Sequence, residues 1–117
     1  HTQEEKEQEY AKAPFGLVGL ETMLALVWTE LVNKGVLTPA EAIAKMTVNP
    51  ARILGIKKEL IQVGAAADLT VIDPEWEEIV DPEKFASKGR NTPFAGWKLK
   101  GWPIYTIING KIVFARS

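Results

Sequence analysis

The 117 residues are 46% hydrophobic, carry 14 basic against 15 acidic groups and contain no cysteine, enough apolar material for one domain with a modest core. The near-neutral balance offers no basic excess to argue for nucleic acid or an anionic membrane surface, and the missing thiols exclude disulfides and cysteine-held zinc. No apolar run approaches the roughly 20 residues that cross a bilayer and no signal peptide is legible, so the expectation is a soluble chain with the cytosol as its default compartment.

In chain order, residues 1–13 form a charged stretch centred on "EEKEQE", read as a solvated loop or short exposed helix. The stretch opens on His1 rather than Met, which suggests a cut end. Next comes "APFGLVGLET", where Gly16 and Gly19 strip side chains from the backbone ahead of a long amphipathic run. Such a loop suits an anion held by unpaired amide groups at a helix start, and it suits a plain tight turn equally. Leu20, Met23, Leu24, Val27, Trp28, Leu31 and Val32 recur at steps of three and four and predict one helix with a broad buried face, stopped at Gly35.

"TPAE" is a helix start with Thr38 as N-cap, Pro39 in the first position and Glu41 three residues after the cap. "NPARILG" predicts a short helix capped by Asn49 and stopped at Gly55. The chain then changes character, with a boundary expected near residues 56–66. "DLTVID" is a β-branched run ended by Pro74, and "YTIINGKIVFA" is a hairpin turning on Asn109-Gly110, both positions needing positive φ. Between them "NTPFAGWKLKGWP" predicts an ordered loop whose aromatics pack on neighbouring structure rather than stack on a ligand.

Three helices followed by about three strands leave neither half closed, because a hairpin plus one strand is marginal without partners. The chain is therefore expected to be a fragment, or to live in complex with the remainder of its protein. Its reactive inventory is short. One histidine and no cysteine supply neither a zinc site nor a Ser/Cys triad, and no glycine motif matches a phosphate-binding loop.

Taken in order, "HTQEEK", "APFGLVGLET", "NPARILG", "VGAAADLTVID" and "ASKGRNTPFAGWKLKGWPIYTIINGKIV" resemble the C-terminal portion of bacterial class I dihydroorotases, from His1 to about Phe114. The resemblance implies an α/β fold class: the C-terminal fragment of a (β/α)8 metal-dependent hydrolase barrel, residues 1–57, plus part of the flanking β-sandwich domain, residues 58–117. It implies a zinc-dependent cyclic amidohydrolase that interconverts N-carbamoyl-L-aspartate and dihydroorotate in pyrimidine synthesis, with zinc ligands and catalytic groups expected upstream of His1 and the fragment inactive alone.

Three positions carry over as substrate-binding residues. His1 matches the last histidine of the family's Asp-His-Ala-Pro-His loop, and Phe15 with Gly16 matches the pair whose backbone contacts the substrate ring and carboxylate region. Without that match His1 reads as a solvated terminus. The implied partners are the rest of the dihydroorotase chain, a second copy in a homodimer, and aspartate transcarbamoylase, with no nucleic acid and no membrane. The alternatives are a fragment of a catalytically silent scaffold subunit that binds aspartate transcarbamoylase, a fragment of a related allantoinase or dihydropyrimidinase, and a self-sufficient small interaction domain.

Overall fold

A computed structural model of the chain describes residues 1–56 and 61–117. Four short helices come first: α1 (Gln3–Lys6), α2 (Met23–Val27), α3 (Pro39–Met46) and α4 (Val48–Ile53). Three strands follow, β1 (Leu69–Ile79), β2 (Lys98–Ile108) and β3 (Lys111–Ala115), forming one antiparallel sheet in the order β1-β2-β3. The boundary expected between residues 57 and 58 lies outside the described residues.

The amphipathic run is shorter and differently faced than its periodicity predicts. α2 begins at Met23 and passes at Trp28 into a single π-helical turn, Trp28–Val32. Its buried side chains are Thr22, Ala25 and Trp28, while Leu20 is 83% and Met23 43% exposed. The face that packs is the one that meets β2. Thr29 Oγ1 accepts the Lys100 N–H at 2.9 Å and donates to the Lys100 carbonyl at 3.2 Å, and the Trp28 ring lies over Gly101. Gly35 ends the turn at φ 71°, as its position predicts.

The capping box forms as read. The Thr38 side chain accepts from the Glu41 N–H and the Glu41 carboxylate accepts from the Thr38 N–H at 2.8 Å. α4 corrects its predicted start: the cap position falls to Thr47, without a side-chain capping bond, and Asn49 lies inside the first turn. Pro50 permits the earlier start, since a first turn tolerates a missing N–H at any of its orphan positions. Gly55 (φ 67°) follows the helix as expected, and the pair α3–α4 closes on two buried small residues, Ala42 and Ala51.

Pro74 does not end its strand. β1 runs on to Ile79 by absorbing the proline in a bulge between Asp73 and Glu77, where Asp73 Oδ1 accepts the N–H groups of Glu75 (2.9 Å) and Trp76 (3.2 Å). β1 is an edge strand, where an absent donor costs no ladder bond. The predicted "NTPFAGWKLKGWP" loop is strand from Lys98 onward. Its tryptophans part: Trp102 joins Ala25, Val80 and Leu99 in the core and donates its Nε1–H to the Leu99 carbonyl at 3.0 Å, whereas Trp97 is half-exposed and meets Phe94 edge-on. The hairpin turn is as predicted, with Asn109 at φ 49° and Gly110 at φ 75°.

Arg116 fastens the far end of the sheet. Its guanidinium pairs with Glu78, donates to the Pro103 carbonyl at 2.9 Å and lies 4.7 Å from the Trp102 ring centroid. No helix among the described residues is long and apolar enough to cross a membrane.

Candidate functional site

The loop between α1 and α2 reaches the segment 86–91 that precedes β2, and the two enclose an open cavity of about 440 Å³. His1, Phe15 and Gly16 all line it, so the structure brings the three sequence-predicted site residues to one place. Lys6, Lys88 and Asn91 line it as well, and none of its lining residues is an Asp or Glu. An anionic ligand therefore meets a wall with two ammonium groups and no opposing carboxylate.

Each of the three is held differently. His1 precedes the short helix α1, where Thr2 and Glu5 cap one another, and its Nδ1 lies 3.3 Å from Glu5 Oε2. Phe15 is 97% exposed, its ring free of the core. Gly16 sits at φ 98°, a region that L side chains rarely adopt, and open space surrounds the position a Cβ takes. The glycine is thus required by backbone angle and not by crowding. α2 begins only at Met23, so the helix start anticipated just after the loop lies too far along the chain to supply the unpaired amides. Within the loop itself, the Phe15 and Leu17 N–H groups have no partner among the described residues.

The segment 86–91 went unread in the sequence as a site element, yet it builds the opposite wall. Glu21 accepts the N–H groups of Ala86 and Ser87, both at 3.0 Å, and the Ser87 hydroxyl at 2.6 Å. Burial pushes the Glu21 carboxyl up, but the bonds from Ser87 and Ala86 and the charge of Arg90 outweigh it and hold the group below its ordinary value. Gly89 is buried, and a Cβ on it stands 2.9 Å from both the His1 carbonyl and Val18 Cγ2. Asn91 donates from Nδ2 to the Gly16 carbonyl at 2.9 Å, and its own carbonyl accepts the Val18 N–H at 2.8 Å. The only sequence signal for these pairings was the run "SKGRNTP"; contacts 65 to 75 positions apart leave no local periodicity.

A sequence model described as "Amidohydrolase family" matches residues 15–113 of the chain. The chain belongs to the amidohydrolase family. Among curated relatives, the dihydroorotase of Pelotomaculum thermopropionicum is 63% identical over 113 residues, covering 97% of this chain and 26% of that protein. The dihydroorotase of Bacillus cereus (strain B4264) is 50% identical over 117 residues, 100% of this chain and 27% of that protein. Of solved structures, the L-hydantoinase (dihydropyrimidinase) of Arthrobacter aurescens superposes with a TM-score of 0.83 at 34% identity, over 93% of this chain and 25% of its own. The D-hydantoinase of a Thermus species gives 0.86 at 23% identity, over 98% and 26%, a likeness of fold alone.

This amidohydrolase chain thus spans about a quarter of the length of the relatives it matches. Its fold class is the expected one, a mixed α/β portion of the amidohydrolase barrel enzymes that ends in an open three-stranded sheet. Among the described residues no group of three or more His, Cys, Asp or Glu could hold a metal ion.

Proposed function

We propose that the chain is the substrate-binding share of a dihydroorotase, the enzyme that reversibly closes N-carbamoyl-L-aspartate to dihydroorotate. The 63% identity to a dihydroorotase across nearly the whole chain is the observation that carries this reading. The hydantoinase likeness, at 34%, supports the wider family more than that particular substrate. On this reading residues 1–57 belong to the barrel and residues 58–117 to the small β domain. The family's zinc ions belong with residues outside this chain, and the enzyme works in the cytoplasm, as a homodimer, with the rest of its own chain as first partner.

The share of the reaction that falls to these residues is binding and orientation. His1 and the Phe15–Gly16 backbone contact the ring and its carboxylate, and the Lys6 and Lys88 ammonium groups on the cavity wall set a positive potential that favours a carboxylate-bearing ring over a neutral one. Dihydroorotate and dihydrouracil differ by that carboxylate, so ring opening of the two by the full-length enzyme, followed by absorbance, tests the reading. The expected result is turnover of dihydroorotate with kcat/KM at least about 100-fold above dihydrouracil, the scale of two lost charged contacts. Gly16→Val, strained at φ 98° and adding a branched side chain in the cavity, raises KM for dihydroorotate with the fold retained. Equal turnover of both rings, or unchanged kinetics in Gly16→Val, overturns it.

A further inference from the structure

Two side chains from outside the Phe15–Val18 loop converge on one oxygen. Lys6 Nζ donates to the Gly16 carbonyl at 2.6 Å and also to the Pro14 carbonyl, while Asn91 Nδ2 reaches the Gly16 carbonyl at 2.9 Å. A carbonyl oxygen has two lone pairs, so that of Gly16 is fully engaged. Asn91 grips the loop a second time through its own carbonyl, which accepts the Val18 N–H at 2.8 Å.

Peptide planarity carries the consequence further. In a trans peptide the N–H points opposite to the preceding C=O. With the Pro14 and Gly16 carbonyls turned toward Lys6 and Asn91, the Phe15 and Leu17 N–H groups are turned away from them. Neither has a partner among the described residues, and both residues line the cavity. A glycine peptide left to itself flips at low cost, because glycine populates both signs of φ. Two donors on the Gly16 carbonyl oppose that flip.

We propose that Asn91, with Lys6, is a positioning residue: it holds the Gly16–Leu17 peptide in one orientation and so keeps the Leu17 N–H available to an oxygen of the bound substrate. The proposal rests on the dihydroorotase reading for the identity of that substrate, and on the loop geometry for the rest. Preorganised backbone donors bind an oxyanion or carboxylate without the cost of ordering them at each encounter. Asn91 touches the loop and not the reacting atoms, so its loss weakens binding and leaves the chemical step.

The test uses the full-length enzyme and three variants at one position. Asn91→Ala removes the side-chain donor and keeps the main-chain bond to Val18; KM for dihydroorotate rises about five- to tenfold, the scale of one hydrogen bond, with kcat within about threefold of wild type. Asn91→Asp has the same shape but sets a carboxylate against the Gly16 carbonyl, and raises KM at least as much. Asn91→Gln keeps an amide donor and recovers part of the affinity. A purely structural role predicts a lowered melting temperature with KM unmoved, and that pattern overturns the proposal. Amide exchange at Val18, without substrate, speeds up in Asn91→Ala when the side chain holds the loop; an unchanged rate overturns it too. A wild-type enzyme that fails to open dihydroorotate removes the substrate assignment alone, and the Val18 exchange then decides the role of Asn91.

Discussion

Glu21 shows how a single side chain joins the two walls of the cavity. Its carboxylate takes three bonds from Ala86 and Ser87; burial raises its pKa, but those bonds and the Arg90 charge together lower it by more, and the group is depressed below its ordinary value. A carboxyl depressed on folding adds stability above its unfolded pKa and loses it as pH falls through the folded one. The stability difference between the full-length protein and its Glu21→Gln variant is therefore largest near neutral pH and shrinks on acidification below the ordinary glutamate range. Denaturant midpoints across pH 3–7 check this, and a difference independent of pH contradicts it. None of this was legible in the sequence, where Glu21 is one acid on a helical face and Ser87 one hydroxyl in a polar loop. Gly16 was legible, because a proline, an aromatic and two glycines in ten residues already mark an unusual backbone.

At the scale of elements, the local signals that survived are those decided by short-range chemistry. The Thr38–Glu41 box and the Asn109-Gly110 turn form within a few residues of their own code, and both appear as read. The signals that failed are those decided by distant partners. Pro74 reads as a strand end unless the strand is known to lie at an edge, and the Leu20–Val32 stripe reads as a core face unless it is known that β2 packs on the Thr22, Ala25 and Trp28 side instead. Gly101 is the hinge of that packing. It sits at φ 83°, and a Cβ there stands 2.3 Å from Trp28 Cγ, so the β2 backbone approaches α2 only because no side chain intervenes. Gly101→Ala combines overpacking with backbone strain and costs about 3 kcal/mol or more. A lowered denaturation midpoint in the full-length protein checks it, and a drop under about 1 kcal/mol contradicts the close approach.

The whole molecule is long for its size. Its radius of gyration is 16.5 Å and its extents are 53 × 30 × 29 Å, against roughly 13 Å for a compact domain of this length. Large apolar side chains stay exposed just before α2, at and beyond the end of α4 and on all of β3, Leu20, Ile53, Ile61, Ile112 and Phe114 among them. Such a surface is out of proportion for a self-contained monomer and accords with a chain that spans about a quarter of its relatives. On the proposed dihydroorotase reading, the glycine loop and the wall carrying Lys6 and Lys88 form one side of an active site that the rest of the enzyme completes.

The most direct measurement is reconstitution. This chain, the remaining portion of a dihydroorotase and Zn²⁺ are assayed separately and together for loss of dihydroorotate absorbance, with assembly confirmed by size-exclusion chromatography. The account predicts ring opening only when both polypeptides are present, reduced when this chain carries Gly16→Val. Turnover by this chain alone, or full turnover by the other portion without it, contradicts the account.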